Sequence, residues 1–216
     1  MKLFIAGASG ATGEHVCRLA KQAGWDVHAF VRSKAAASRL DPAYEHSVGD
    51  PTDPQDVAQA MVGADAVAVC LGISRQTRSP FAKPVSPLDL TSRSVEAILQ
   101  SMQSLQIRRI VYISAFGASE SWSSIPWWCR AFLSLTQVRH SMIDHTRSEA
   151  LLASSGLDWT ALRPMMLDDS SSSDPTREMK PGDSLLKEVP REALARTVIQ
   201  ALNDRSTIRR PVALVP

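Results

Sequence analysis

A short apolar strand, Lys2-Leu-Phe-Ile-Ala6, runs directly into Gly7-Ala-Ser-Gly10-Ala-Thr-Gly13 and then into a helical stretch beginning near Ala11. The order matters more than the glycines. A strand that feeds a helix through a glycine turn aims the helix's unpaired N–H groups, and its positive dipole end, at whatever occupies the turn. The segment therefore predicts an anion site shaped for a pyrophosphate. Gly7 would permit the tight turn, Gly10 the close approach of backbone to phosphate, and Gly13 the packing of helix on strand. Ser9, Ala11 and Thr12 complete the expected cradle.

The second strand, Asp26-Val-His-Ala-Phe-Val31, ends in Arg32-Ser33-Lys34, with Arg39 a little further on and no carboxylate before Asp41. An acidic residue at this point would accept hydrogen bonds from the adenosine ribose of NAD, whereas an arginine suits a 2′-phosphate. Arg32 and Ser33 thus favour NADP(H) over NAD(H).

Strand and helix patterns then alternate. Tyr44–Val48 reads as a strand, and Asp53-Pro54 as the start of a helix running to about Val62. Asp65–Leu71 is a continuous apolar run, the mark of a strand buried on both faces. A helix from about Leu88 to Gln106, a strand over Arg108–Ser114, a helix from about Ser134 to Ser155, a strand over Leu157–Arg163 and a last helix from Pro190 to about Asn203 follow. The succession predicts one α/β domain over 1–216, a doubly wound parallel sheet with helices on both faces. Loops about 73–87, 116–133 and 165–188 fall after strands, at the carboxyl edge where ligands bind in such sheets. Expected cofactor contacts at that edge are Asp50, Leu71, Gly72, Ser114 and Pro164.

A chain of 216 residues with 44% hydrophobic and 21% charged residues is ordinary for a globular domain. Its net charge of +2 gives no reason to expect nucleic acid or a membrane as partner. The apolar run before the glycine turn is too short for a signal peptide, so a cytoplasmic location is expected. Cys17, Cys70 and Cys129 are widely spaced and predict buried thiols, with neither a disulfide frame nor a metal site.

The GxxGxxG turn, Val48-Gly-Asp50, the strand ending Cys70-Leu-Gly72, Ser114-Ala-Phe116 and Ser155-Gly-Leu-Asp-Trp-Thr-Ala-Leu-Arg-Pro164 occur in this order. The pattern resembles the NmrA-like NAD(P)-binding proteins of the atypical short-chain dehydrogenase/reductase group. Asp144-His-Thr-Arg147 together with Ser114-Ala-Phe116 is similar to the NADPH-dependent flavin reductase/biliverdin-IXβ reductase family. The resemblance covers about residues 1–204 and implies a Rossmann fold. It also implies an oxidoreductase that passes hydride from NADPH to a planar acceptor such as a flavin, quinone or tetrapyrrole. The resemblance makes Ser114 and His145 the candidate catalytic residues, and His145 a cofactor contact as well.

One departure from the main short-chain reductases is informative. They carry a tyrosine with a lysine four residues later, and here Tyr44 and Tyr112 are followed at that spacing by Val48 and Phe116. A ketoreductase using that acid/base pair is disfavoured, and so is an epimerase. A non-catalytic NADP(H) sensor acting through a protein partner is the alternative function. Three of five tryptophans fall in Ser121-Trp-Ser-Ser-Ile-Pro-Trp-Trp-Cys-Arg-Ala-Phe132. They would stack a planar aromatic substrate, cap the sheet edge or form a homodimer contact.

Overall fold

The computed structural model describes residues 1–185 and 187–216; position 186, inside the expected 165–188 loop, lies outside the described residues. The chain begins β1 (Lys2–Ala6), α1 (Ala11–Gln22), β2 (Asp26–Val31), a four-residue α2 (Lys34–Ala37), β3 (Glu45–Val48), α3 (Pro54–Met61) and β4 (Ala66–Val69). It continues with α4 (Leu90–Ser104), β5 (Arg109–Ile113), α5 (Trp127–Ser134), α6 (Val138–Ser154) and β6 (Asp158–Pro164). The last part holds β7 (Met166–Asp168), β8 (Arg177–Glu178), β9 (Glu188–Pro190), α7 (Arg191–Asn203) and β10 (Arg210–Val215).

Eight strands form one sheet in the order β3-β2-β1-β4-β5-β6-β10-β8, while β7 and β9 pair separately. Every pairing in the large sheet is parallel except β10 with β8. The chain winds outward from β1 to β3, crosses back, and winds the other way from β4. The crevice between the carboxyl ends of β1 and β4 is therefore a topological switch point, where open α/β sheets bind their ligands.

Near-continuous apolar strands follow from this burial on both faces. In β1, Leu3 and Ile5 pack under α1 and α7, while Phe4 and Ala6 face the opposite layer. That second layer joins Met61, Ile98, Met102, Tyr112, Leu152 and Trp159 beneath α3, α4 and α6. The two layers make a Rossmann-like α/β fold. Among the described residues no helix is long and apolar enough to cross a membrane.

Several boundaries differ from the sequence expectation. The helix expected over 134–155 begins later, as α6 at Val138, and a separate helix, α5, precedes it, because the ladder breaks between the two. The Val138 N–H donates to Thr136 Oγ1 at 3.3 Å and the Gln137 N–H to the Pro80 carbonyl at 2.9 Å. The first of the two, α5, lies inside the expected 116–133 loop. The expected 165–188 loop contains the short strands β7 and β8, and β9 begins at its end. The strand β10 went unexpected although its Val212-Ala-Leu-Val215 run is apolar, since Pro211 punctuates it.

Candidate functional site

At the end of β1, Gly7 takes φ +83°, and a Cβ there would lie 2.8 Å from the Cys70 carbonyl oxygen. A Cβ on Gly13 would collide with the Gly7 carbonyl oxygen, so α1 sits against the turn only because both residues are glycine. Gly10 is the N-cap of α1 and contributes no side-chain cap. The first intrahelical bond runs from the Glu14 N–H to the Gly10 carbonyl at 2.9 Å. The N–H groups of Ala11, Thr12 and Gly13 precede it and have no partner within the helix. Gly10 and Ala11 are exposed, while Ser9 and Thr12 are half-buried at the same mouth. An uncapped helix start with positive dipole and a bare backbone fits a pyrophosphate.

Arg32 follows β2 and is exposed, with no hydrogen bond or ion pair among the described residues. Lys34 and Arg39 are exposed nearby. Ser33, by contrast, is used locally: its hydroxyl oxygen accepts from the Ala36 N–H at 3.2 Å and caps α2. Asp50 is also turned inward on its own loop. Its Oδ1 accepts from the Thr52 N–H and hydroxyl, both at 2.8 Å, and these bonds hold the carboxyl below its usual range. Leu71 is half-buried beside Gly7, and Gly72 is exposed with open space around it.

Beyond β5 lies a buried polar network that the sequence did not reveal. Ser114 Oγ donates to Glu149 Oε1 at 2.6 Å. Glu149 in turn accepts from Arg163 Nε at 2.8 Å and from Ser119 Oγ at 2.7 Å. Arg163 reaches on to Glu120 at 2.5 and 3.0 Å. Burial opposes the charge on Arg163, but its bonds to Glu149 and Glu120 outweigh burial and keep the guanidinium firmly protonated. The network joins α6, β6 and the loop after β5. Glu149 is one turn beyond His145, which was the available signal: a carboxylate at i+4 shares its helix face.

His145 is buried, and its Nδ1 lies 2.5 Å from the Tyr112 hydroxyl. Burial pushes its pKa down to about 4, so at neutral pH the ring is uncharged. Asp144, its neighbour, is a structural cap: its carboxylate accepts the Thr91 and Ser92 N–H groups at 2.8 and 3.0 Å, pinning α6 to the start of α4. Arg147 lies away from the sheet edge, on an outer groove between α4 and α6 with Ser92, Glu96 and Ser154. Pro164 is buried, and its carbonyl accepts from the Phe116 N–H at 2.9 Å. Burial likewise drives the Cys17 thiol up to about 12, leaving it inert.

A cleft of about 380 Å³ opens at Phe116, two residues beyond Ser114. Phe116 and Ser124 line one side, and Met179, Lys180, Gly182 and Leu185 the other. Arg177 holds the far loop by two bonds to Asp183, at 2.7 and 2.6 Å. The structure thus brings Gly7, Ser9, Gly10, Ala11, Thr12 and Gly13 together at one helix start, with Leu71 beside them. Ser114, His145 and Pro164 cluster around β5 and β6. Asp50 and Ser33 are committed to local turns.

A family model described as NAD(P)H-binding matches residues 7–205. An uncharacterized chloroplastic protein of Arabidopsis thaliana is 24% identical over 99% of this chain and 76% of its own length. Sterol demethylase protein B of Methylococcus capsulatus is 25% identical over 76% of this chain, which spans 51% of that protein. Among solved structures, ChuY, an anaerobilin reductase of Escherichia coli, superposes with a TM-score of 0.81 at 20% identity, covering 100% of this chain and 97% of that one. A Veillonella parvula short-chain dehydrogenase/reductase in complex with NADP gives 0.79 at 16% identity, over 100% and 94%.

Proposed function

The chain belongs to the NAD(P)H-binding family, and from that premise we propose that it is an NADPH-dependent reductase passing hydride to a planar acceptor: a flavin, quinone or tetrapyrrole. One observation carries the reading. The two candidate catalytic groups are engaged within the protein: the Ser114 hydroxyl donates to Glu149, and His145 is a buried neutral ring beside the Tyr112 hydroxyl. Chemistry at such a site must rely on positioning and exclusion of water more than on a protein acid. The nicotinamide nucleotide supplies the hydride when bound.

The chain's own residues divide that work. The first turn of α1 would hold the pyrophosphate, and Arg32 would meet a 2′-phosphate with a charge-assisted pair. Ser114 keeps its lone pairs for a carboxamide N–H while its proton stays on the Glu149 side. Phe116 and the 179–185 loop would sandwich a flat ring and keep water from it. A tetrapyrrole acceptor draws support from the likeness to ChuY, and an acceptor without acid assistance from the site itself.

The test is direct. Purified protein is mixed with NADPH and a panel of FMN, riboflavin, quinones and biliverdin, and the nicotinamide absorbance band is followed. Turnover with any acceptor is the expected result. Tight NADPH binding with no turnover across the panel would replace the reductase by a redox sensor that signals through a protein partner.

A further inference from the structure

The eight-residue helix α5 is turned inside out. Trp127, Trp128, Ala131, Phe132 and the C-cap Leu135 are all exposed, with Trp127 at 75% and Leu135 at 79%. At about 100° per residue these positions fall within one arc of roughly 140°. The less exposed Cys129, Arg130 and Leu133 lie on the other side. A surface helix ordinarily points its apolar stripe at the core. This one points it at solvent. Phe81, 58% exposed, extends the stripe by an edge-on contact with Phe132 at 5.9 Å, and the Gln137–Pro80 backbone bond fastens the 73–87 loop to the same surface.

The two segments that carry the stripe are charged with a single sign. Residues 73–87 and 121–143 contain five Arg or Lys and no Asp or Glu, in a chain whose net charge is only +2. Arg78 is paired with Asp169, while Arg75, Lys83, Arg130 and Arg139 have no carboxylate partner among the described residues. Self-association through this face would bring those unpaired cations against their copies, a like-charge contact that disfavours the homodimer expected through 121–132. An anionic lipid surface satisfies both features at once. It offers an apolar layer just beneath its headgroups for indole, phenyl and leucyl groups, and phosphates for the flanking cations.

We propose that α5 and the 73–87 loop form a docking face for an anionic bilayer, seated by Trp127, Trp128, Phe132, Leu135 and Phe81 and steered by Lys83 and by Arg139, which is exposed and donates to the Ser134 carbonyl at the end of α5. The inference stands on the surface alone and does not depend on the acceptor or on turnover. Whole-chain net charge could not show it, because acidic residues elsewhere cancel the local excess.

Vesicle co-sedimentation of the full chain tests it, using phosphatidylcholine alone and phosphatidylcholine with phosphatidylglycerol at roughly three to one. The protein is expected to pellet with the mixed vesicles and not with phosphatidylcholine alone, with a blue shift of tryptophan emission. The double variant Trp127→Ser/Trp128→Ser should lose pelleting. Lys83→Gln/Arg139→Gln should weaken it about 25-fold, at about fivefold per cation. Circular dichroism checks that both remain folded, and if the tryptophan variant does not, the charge pair carries the test. No pelleting with mixed vesicles, equal pelleting with neutral ones, or an unchanged affinity in the charge variant overturns the proposal. So does a dimer in sedimentation velocity that the tryptophan variant abolishes while vesicles go unbound.

Discussion

Arg32 is the residue whose surroundings speak most directly to cofactor choice. It is exposed, stands at the end of β2 and has no partner among the described residues, so its charge is available to a ligand. A charge-assisted pair with a 2′-phosphate contributes about 1.5–3 kcal/mol. Arg32→Ala is expected to weaken NADPH binding about tenfold to a hundredfold in fluorescence titration and to leave NADH nearly unchanged. Equal losses for both nucleotides would remove the reason to prefer NADP. Ser114 belongs to the opposite case, because its proton is already held by Glu149. Losing a neutral positioning bond costs about 0.5–1.5 kcal/mol, so Ser114→Ala should slow turnover only about threefold to tenfold. A thousandfold loss would instead mean that Ser114 hands a proton to the substrate.

Among the elements, α1 and its entry turn were the most legible in the sequence. The strand, the GxxGxxG turn and the helix specify one local geometry, because Gly7 needs its positive φ and Gly13 needs to lack a Cβ. The roles of Gly10 and Gly13 separate under mutation. Gly10 is exposed at the helix start, and an added Cβ would lie 3.2 Å from the Gly7 carbonyl oxygen, a contact a small shift relieves. Gly10→Val should therefore fold by circular dichroism yet lose nucleotide binding, since its branches fill the space a phosphate needs. Gly13→Ala should destabilise the fold itself, measured as a lower urea midpoint, because its Cβ meets backbone that cannot move away. Nucleotide affinity surviving in a folded Gly10→Val would show that the turn is not the phosphate site. Less legible were the parts set by contacts distant in sequence. Nothing local to Glu149 announces that Ser114, Ser119 and Arg163 converge on it from positions 14 to 35 residues away. The split between α5 and α6 was hidden for the same reason, since Pro80 supplies one of the acceptors that end the ladder. Asp144 and Arg147 read as one motif in the sequence, and both lie against the start of α4, Asp144 buried as its cap and Arg147 on the outer groove beside Ser92.

For the molecule as a whole, buried titratable groups couple the fold to pH, and His145 gives this coupling a definite sign. Its folded pKa is about 4, set by burial, against an ordinary value of 6.5. Above pH 6.5 both folded and unfolded chains carry a neutral ring, and the group adds no pH dependence. Below pH 6.5 the unfolded chain takes up a proton that the folded chain refuses, so stability falls as pH falls, by about 1.4 kcal/mol per pH unit. The loss levels off near pH 4, where the folded ring also protonates, after about 3 kcal/mol in all. His145→Gln has no such titration. The stability difference between wild type and variant, from urea unfolding at a series of pH values, should be flat above pH 7 and fall steadily between pH 6.5 and 4. His28, also shifted down by burial, is present in both proteins and cancels from the comparison. The same burial bears on catalysis, because at pH 7 a group with this pKa is protonated in about one molecule in a thousand. Turnover should accordingly show no step near pH 6.5. A difference curve that stays flat down to pH 4, together with a rate that titrates near 6.5, would mean an imidazole open to solvent and able to act as an acid. The acceptor would then be one that needs a proton along with its hydride.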